Sequence, residues 1–221
     1  MHNLLNNTSD IFISKFSTLG TEVYSPEVDE FNKPGWSNRI WTSPSFKSAH
    51  INIINALDTK GLWMMHCCIF PHNHNNSPIF GFDIFAGKNK ITGCFHDYSP
   101  VITPHELLTD FERKISSISW NKQRELPEWA QSIFSQNIMA AGNIQDISEL
   151  SDLCQFITSS LDHYLQKISL FDNTTENSSD IHKFYCSQQQ KNPHNPRVLM
   201  SLGLSEPTAS QFITTILFPY N

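Results

Sequence analysis

One carboxylate and two imidazoles are the residues of this chain that favour proton-transfer chemistry. Asp83 lies in the apolar run Pro78–Gly87 among Phe and Ile residues, and His50 and His66 lie in the two preceding apolar stretches. Burying an unpaired carboxylate is costly, so a buried Asp is usually protonated, partnered or functional. An Asp beside a His in an apolar cavity can share a proton and deliver it near neutral pH. Spacing alone also allows a purely structural hydrogen-bonded pair.

A predicted antiparallel meander positions these residues. Strand patterns occupy residues 39–42, 48–54, 62–70, 78–87 and 91–96. Period-two alternation places His50 and Asn52 on one face of the second strand. Because short turns join the strands, neighbours pair antiparallel. The pattern therefore allows His50, Asn52, His66 and Asp83 to share one face of the sheet.

Helical patterns dominate after residue 100. Thr103–Glu106 predicts a capping box with Pro104 at the first helical position, and residues 146–168 have amphipathic helical spacing. Three further helices are expected over 180–190, 196–202 and 205–218, the last with Ser205 as N-cap. Residues 1–10 are predicted to form a flexible tail or a short helix start, and 171–179 a mobile polar loop. Strands followed by helices indicate the α+β class, in one domain over 1–221.

Composition and motifs narrow the classes of function. A formal net charge of −6 without a basic run disfavours nucleic-acid binding. We expect no signal peptide, no membrane span, and reduced cysteines in a cytoplasmic protein. The nucleotide-binding and hydrolase fingerprints do not occur. The 16 Phe suit either a core or a pocket for a large flat ligand. His72 and His74 form a possible metal pair, but a solvated loop without a metal is the favoured interpretation.

Several short segments of this sequence resemble segments of one known protein family and follow one another in the same order. They are His66–Pro71, Phe80–Gly87, Asp97–Pro100, Gln123–Trp129, Tyr185–Asn192 and Arg197–Leu199. From about residue 39 to residue 218 the chain resembles the ferredoxin-dependent bilin reductases, and most closely the branch that forms phycocyanobilin. The resemblance implies a three-layer α/β/α sandwich with a central antiparallel sheet and helices on both faces. It also implies that biliverdin IXα binds between the sheet and the C-terminal helices.

The resemblance further implies where the electrons and protons come from and which residues bind the substrate. An external 2Fe–2S ferredoxin would supply electrons one at a time through bilin radicals, with no cofactor bound permanently. Asp83 matches the central proton donor, His66 the residue that shares its proton, and His50 a second connected His. Arg39, Thr92 and Arg124 match positions that hold the bilin propionates; a guanidinium suits a carboxylate because it can bind it bidentately.

Near the C-terminus the match is weaker. A second family Asp aligns with Pro193, which cannot act as an acid. The propionate-contacting Lys that follows falls on His194. Asn192 and Asn195 flank this stretch and are retained as candidate substrate contacts.

One departure bears on the product. The phycocyanobilin-forming enzymes carry a Glu where this chain has Asn52, and that Glu is linked to reduction of the D-ring vinyl group. An amide cannot donate a carboxylic proton. The resemblance then favours the phage-associated relatives that form 3Z-phycoerythrobilin through 15,16-dihydrobiliverdin. The alternatives are a phycocyanobilin-forming reductase, a non-catalytic bilin carrier, or a lyase or photoreceptor that attaches bilin to a cysteine such as Cys67 or Cys94.

The expected partners follow from the same resemblance. They are biliverdin IXα as substrate and ferredoxin as a transient partner, with no nucleic acid and no membrane. Since ferredoxin is acidic, Lys47, Lys88 and Lys90 are candidates for a basic docking face. We expect a monomer in the cytoplasm of a cyanobacterial or phage-infected cell.

Overall fold

An antiparallel sheet forms the centre of the computed structural model, which describes residues 1–119, 124–171 and 177–219. Within these residues its seven strands are β1 Thr21–Val23, β2 Trp36–Ser43, β3 Phe46–Ala56, β4 Leu62–Phe70, β5 Ile79–Ala86, β6 Ile91–Ser99 and β7 Met139–Ala141. The strands lie in chain order, each antiparallel to its neighbours. The predicted meander is confirmed. The two edge strands β1 and β7 were not predicted, because three residues give too little period-two signal.

Helices cover both faces of the sheet. In chain order they are α1 His2–Leu19, α2 Pro26–Asp29, α3 Leu57–Lys60, α4 Glu106–Ile115, α5 Glu128–Gln131, α6 Ile147–Lys167, α7 Ser179–Gln189, α8 His194–Ser201 and α9 Glu206–Phe212, and the π-helix Ile213–Leu217 continues α9. One hydrophobic cluster joins α1, α4 and α6 to one face, and a second joins α2, α7, α8, α9 and the π-helix to the other. The three-layer α/β/α sandwich is therefore confirmed.

The alternation of side chains in β4 shows how one strand serves both layers. Trp63 and Met65 belong to the cluster under α1 and α6, whereas Met64 and Cys68 belong to the cluster under α7 to α9. Because both faces are covered, the strand is apolar throughout rather than alternating. His66 interrupts the second face, and it is buried there. A polar residue at such a position needs a partner or a function.

Of the two alternatives predicted for residues 1–10, the flexible tail is wrong and the helix start is confirmed. This segment belongs to α1, which buries Leu5 and Phe12 against the sheet. The polar appearance of this segment left both alternatives open because Thr8 and Ser9 are buried too. Their hydroxyls donate to backbone carbonyls inside the helix, so their burial leaves no unpaired donor.

The predicted helix starts need one correction. The capping box at Thr103–Glu106 is wrong: α4 begins at Glu106, and Nδ1 of His105 accepts from the backbone N–H of Leu107 at 3.1 Å. An imidazole nitrogen replaces the usual cap oxygen there. Ser205 caps α9 as predicted, accepting from the N–H of Thr208.

The other predicted helices are confirmed with shifted bounds. Asp146 is the N-cap of α6. The region predicted over 196–202 starts earlier, at the first residue of α8, and that over 205–218 divides into α9 and the π-helix. Of the predicted loop 171–179, residues 172–176 lie outside the described part of the chain, as does Gln123 of the family-like strings. In the described ranges, no helix is long and apolar enough to cross a membrane.

Candidate active site

A single cross-strand row carries the polar residues of the site. Asn38 on β2, Asn52 on β3, His66 on β4 and Asp83 on β5 lie directly opposite one another in register. Side chains opposite each other in adjacent antiparallel strands have Cβ atoms about 4.5–5.5 Å apart. The sheet therefore places four polar side chains side by side on the face that α7 to α9 cover.

His66 and Asp83 form a hydrogen-bonded pair with unequal burial. Nδ1 of His66 lies 2.9 Å from Oδ1 of Asp83, and their side chains are 6% and 33% exposed. The ring of Phe218 packs edge-on against the imidazole, with centroids 5.4 Å apart. Asp83 is thus the more open of the two to the cleft, while His66 is shielded from solvent. The structure brings together the two residues predicted to share a proton.

His50 lies beside this pair. Its ring centroid is 5.7 Å from that of His66, and it is buried. Neither ring nitrogen hydrogen bonds to any residue that the structure describes. Burial, reinforced by the nearby His66, holds the pKa of His50 well below its usual value. The imidazole is therefore neutral and retains unused hydrogen-bonding capacity.

A cleft of about 420 Å³ opens above the row, between the sheet and the C-terminal helices. This size falls in the range of sites that enclose a small organic ligand, about 300–1,000 Å³. Asn52, His66 and Asp83 form part of its floor. Its apolar walls come from Leu62, Met64, Phe85, Phe95, Trp129, Phe134, Phe212, Leu217 and Phe218. Flat aromatic walls above a polar row suit a planar ligand with polar atoms at its centre.

A cation lies at one edge of the cleft. The backbone N–H of Arg124 donates to the carbonyl of Ala140 at 2.9 Å, and its guanidinium donates to the carbonyl of Thr92. Gly142 permits this approach, because a Cβ there would lie 2.6 Å from Nε of Arg124. Thr92 and Arg124 both line the cleft, as the prediction of carboxylate-binding residues requires. The Thr92 hydroxyl donates to the Phe85 carbonyl at 3.1 Å and can still accept.

The start of α8 also contributes to the cleft. Asn192, His194 and Asn195 line it, so the three weakly matched candidates are at the site. Oδ1 of Asn192 accepts from the backbone N–H of His194 at 3.0 Å. Its amide NH₂ is therefore the group that remains for a ligand. Pro193 is the residue immediately before the helix.

Arg39 is not at the cleft, and its prediction as a substrate contact is corrected. It pairs with Ile51 in register and follows Asn38, so it points to the opposite face of the sheet. Its guanidinium binds both carboxylate oxygens of Glu22, at 2.7 and 2.6 Å, and lies over the ring of Trp41. The bidentate partner is a side chain of the protein itself.

Of two other groupings from the sequence, the three lysines separate in space, whereas His72 and His74 stay together. Lys47 precedes the residue opposite Phe70, at one end of the sheet, whereas Lys88 and Lys90 lie in the β5–β6 turn at the other. They cannot form one docking face. The rings of His72 and His74 stack at 5.3 Å. Among the described residues, no three His, Cys, Asp or Glu side chains are grouped to hold a metal ion.

Sequence reasoning missed four residues around the site. Asn38 completes the row, Glu125 and Gln189 line the cleft, and Phe218 covers His66. Asn38 could have been found from the sequence by extending the β2 pattern back to residue 38. That residue lies opposite Asn52 on the neighbouring strand. The contributions of Gln189 and Phe218 depend on helix packing, which local spacing does not encode.

Comparisons with known proteins agree with this geometry. Residues 26–219 match the sequence model of the ferredoxin-dependent bilin reductases. A phycocyanobilin:ferredoxin oxidoreductase of Prochlorococcus marinus (strain MIT 9515) is 29% identical over 83% of this chain and 76% of its own. Its counterpart in Synechococcus sp. is 25% identical over 82% and 74%.

Two solved structures share the fold. PcyX has a TM-score of 0.75 at 31% identity, covering 98% of this chain and 99% of its own. Tomato phytochromobilin synthase, solved in complex with biliverdin, has a TM-score of 0.75 at 15% identity, covering 99% and 81%. At that identity it supports the fold alone. With a family match over residues 26–219 and a fold shared with these structures, this chain belongs to the ferredoxin-dependent bilin reductases.

Proposed function

We propose that this oxidoreductase reduces biliverdin IXα by four electrons to 3Z-phycoerythrobilin, through 15,16-dihydrobiliverdin. The observation that carries the proposal is Asn52, in the row between Asn38 and His66. The phycocyanobilin-forming enzymes that the chain resembles carry a Glu at this place. Since an amide cannot supply a carboxylic proton, reduction of the D-ring vinyl group lacks its acid.

The remaining carboxyl groups support this assignment. Among the described residues that line the cleft, they are Asp83 and Glu125. Glu125 is exposed and lies outside the sheet, so it is not in the row beneath a bound ligand. Asp83 then serves as the carboxylic acid at the centre. Two reductions remain for it to support, at the 15,16 methine bridge and at the A-ring diene.

Each of these two reductions adds two electrons and two protons to the bilin. A 2Fe–2S ferredoxin, the external donor of the family, delivers the electrons one at a time, so bilin radicals form between deliveries. The protons come from the Asp83–His66 pair and are replaced from solvent. The described residues provide proton donors and walls for this chemistry, and the electron carrier is an external partner.

The cleft is consistent with the substrate. The aromatic walls contact the faces of a planar tetrapyrrole, and the row lies where pyrrole nitrogens converge. A propionate at the edge meets Arg124, whose planar guanidinium suits a carboxylate. We propose, further, that the chain acts as a monomeric single domain that ferredoxin contacts transiently, in the cytoplasm of the host cell.

An anaerobic turnover assay tests the proposal. The protein is mixed with biliverdin and an enzymatically reduced 2Fe–2S ferredoxin, and the pigments are separated by chromatography. We expect 15,16-dihydrobiliverdin first and 3Z-phycoerythrobilin at the end, with four electrons consumed per bilin. Phycocyanobilin as the main product would contradict the proposed product. A bound, spectrally shifted bilin without electron consumption would indicate a carrier, and bilin that stays attached after denaturation would indicate a lyase or photoreceptor.

A further inference from the structure

A series of hydrogen-bonded side-chain amides connects an exposed turn to the floor of the cleft. Nδ2 of Asn32 donates to Oδ1 of Asp29 at 3.2 Å. Oδ1 of Asn32 accepts from the backbone N–H and Nδ2 of Asn38, at 2.6 and 3.3 Å. Nδ2 of Asn52 then donates to Oδ1 of Asn38 at 2.7 Å. Asn38 and Asn52 are 2% and 1% exposed, so water has little access to the hydrogen bond between them.

The orientation of every amide in this hydrogen-bonded series is determined by the groups at the two ends of the series. A backbone N–H can only donate, so it requires the oxygen of Asn32, and the carboxylate of Asp29 then receives the nitrogen. At the inner end, Nδ2 of Asn52 also faces the carbonyl of Ser37 at 3.5 Å, and a carbonyl can only accept. Rotating the amide of Asn52 would place its oxygen against two other oxygens. Its Oδ1 therefore faces away from Asn38.

Away from Asn38, the next residue in the row is His66. Oδ1 of Asn52 and Nε2 of His66 are both buried, and neither hydrogen bonds to any residue in the described ranges. Leaving such atoms unpaired costs about 1–3 kcal/mol each. The two are complementary only when Nε2 carries a proton, because the amide oxygen accepts and cannot donate.

We propose that Asn38 is a positioning residue, which holds the carbonyl of Asn52 toward His66 and keeps a proton on Nε2. This inference rests on the proposed function, in which the Asp83–His66 pair supplies protons to the bilin. With Nε2 protonated, Nδ1 either accepts from protonated Asp83 or donates to its carboxylate. Both forms hold one proton more than a neutral His66 protonated on Nδ1 beside an ionised Asp83. The amide series thereby keeps an additional proton on the Asp83–His66 pair, and the pair can deliver this proton to the bilin.

The test reads the proton directly in the substrate-free protein. Nitrogen-15 NMR of ring-labelled histidines reports which nitrogen of His66 is protonated. We expect Nε2 of His66 to be protonated at neutral pH in the wild type. In Asn38→Ala the ratio of protonated to unprotonated Nε2 should fall about tenfold, the effect of losing one hydrogen bond of typical net free energy. Asn38→Asp keeps an oxygen acceptor for Asn52 and should hold the ratio at or above the wild-type value, because its negative charge also favours a protonated imidazole.

Two further variants separate this role from others. Asn55→Ala makes the same change at an exposed position of β3 and should leave the His66 signal unchanged. His50 is the other neighbour that could accept from Nε2, and His50→Leu removes it. The proton should remain on Nε2 in His50→Leu, and its loss there with retention in Asn38→Ala would assign the role to His50 and overturn the proposal.

An unprotonated Nε2 in the wild type, or an unchanged ratio in Asn38→Ala, would also overturn it. If circular dichroism shows that Asn38→Ala is unfolded, Asn32→Ala serves instead. It removes the hydrogen bonds at the exposed end of the same amide series and is expected to lower the ratio of protonated to unprotonated Nε2. A wild-type protein that leaves biliverdin unreduced would refute the proposed function, while the NMR result would still decide the role of Asn38.

Discussion

Nδ1 of His66 lies 2.9 Å from Oδ1 of Asp83, and the two residues are directly opposite in the register of β4 and β5. The sheet itself sets this distance, because neighbouring strands hold facing side chains close together. The difference in burial gives the pair a direction. Both side chains line the cleft, but Asp83 is the more exposed, and His66 lies between it and the buried residues Asn52 and His50.

Asp83→Asn tests this direction. The substitution keeps the size and polarity of the side chain but removes its acidic proton. We expect biliverdin to bind with a Kd close to that of the wild type, and turnover to fall at least about 100-fold. Stopped-flow absorption and electron paramagnetic resonance under anaerobic conditions should then detect an early radical that persists.

The control is Asp58→Asn, which makes the same change at an exposed position of α3 and should not alter turnover. Normal turnover by Asp83→Asn would remove this residue from the proton path. Under the same conditions, His66→Gln should slow the reaction without abolishing binding, since Gln cannot share a proton with Asp83.

Period-two alternation and short turns were sufficient to predict that the polar residues of the central strands share one face. His50, Asn52, His66 and Asp83 lie in long, regular strands, where alternation and short turns determine both face and neighbours. For residues 1–10 the polar composition left both a flexible tail and a helix start open, because it does not reveal that Thr8 and Ser9 bury their hydroxyls by donating inside a helix. Local patterns do not reveal such internal hydrogen bonds.

Arg39 shows a second limit of sequence reasoning. A similar string of residues suggested a ligand contact, but one residue of register decides which face a side chain takes. Asn38, one position earlier, points to the cleft side, and Arg39 binds Glu22 on the other face. Glu22 belongs to the short edge strand β1, which the sequence pattern did not reveal, so the competing partner could not be anticipated.

His50→Leu should separate stability from activity. The imidazole is buried and makes no hydrogen bond within the described residues, so an apolar side chain should raise the free energy of unfolding by about 1 kcal/mol. Reduction of biliverdin should become slower. Urea denaturation and the anaerobic assay measure the two effects, and a variant that is less stable than the wild type at pH 7.5 would contradict this account.

The same variant should change the pH dependence of stability. Burial lowers the pKa of His50 in the folded protein, so below the usual pKa of 6.5 the unfolded chain binds more protons than the folded one. The contribution of His50 to stability is therefore full above that pH and is lost as the pH falls. His50→Leu lacks this dependence, and its stability advantage should be larger at pH 5.5 than at pH 7.5.

Gly142→Ala should disturb the cationic edge of the cleft. The added methyl group would lie 2.6 Å from Nε of Arg124 and 3.0 Å from the carbonyl of Thr92, so the guanidinium must move. If Arg124 binds a propionate, the Kd for biliverdin should rise about 10–100-fold, the value of a charge-assisted hydrogen bond. Fluorescence or absorption titration measures it.

Gly87→Ala provides the matched control, because its Cβ would meet no atom closer than 3.7 Å. Its Kd should equal that of the wild type. A biliverdin dimethyl ester, which lacks the carboxylates, should bind Gly142→Ala and the wild type equally well. Unequal binding of the ester would mean that the glycine acts through the shape of the cleft rather than through Arg124.

Asp97 ties a wall of the cleft to the sheet. Its carboxylate accepts from the backbone N–H of Ser135 at 2.9 Å, from the Ser135 hydroxyl, and from the Ser99 hydroxyl at 2.8 Å. Burial nevertheless outweighs these donors and raises the pKa of Asp97 to about 6. The folded state therefore favours the protonated form, and the associated stability is lost as the pH rises from about 4 through 6.

Asp97→Asn should reduce this pH dependence. A raised pKa of this size corresponds to on the order of 2–3 kcal/mol between acidic and neutral pH. Urea denaturation at pH 4 and pH 7 should show the wild type losing more stability than Asp97→Asn over that interval. Equal losses would mean that the three donors fully offset the effect of burial on the ionisation of Asp97.

The last prediction concerns the choice of product. Asn52→Glu places a carboxyl group in the row, between the oxygen of Asn38 and the imidazole of His66. Because Asn38 presents an acceptor, the new side chain is best accommodated with a proton, which it can donate to a bound bilin. We expect part of the product to shift to phycocyanobilin, detected by chromatography after anaerobic turnover.

Asn52→Gln is the matched control, because it has the length of Glu without the acidic proton. It should form no phycocyanobilin, whatever its rate. If both variants give the same products, the length of the side chain rather than its acidity directs the reaction. If neither changes the products, a carboxyl group at position 52 does not suffice for reduction of the D-ring vinyl group, and Asn52 does not by itself determine the product.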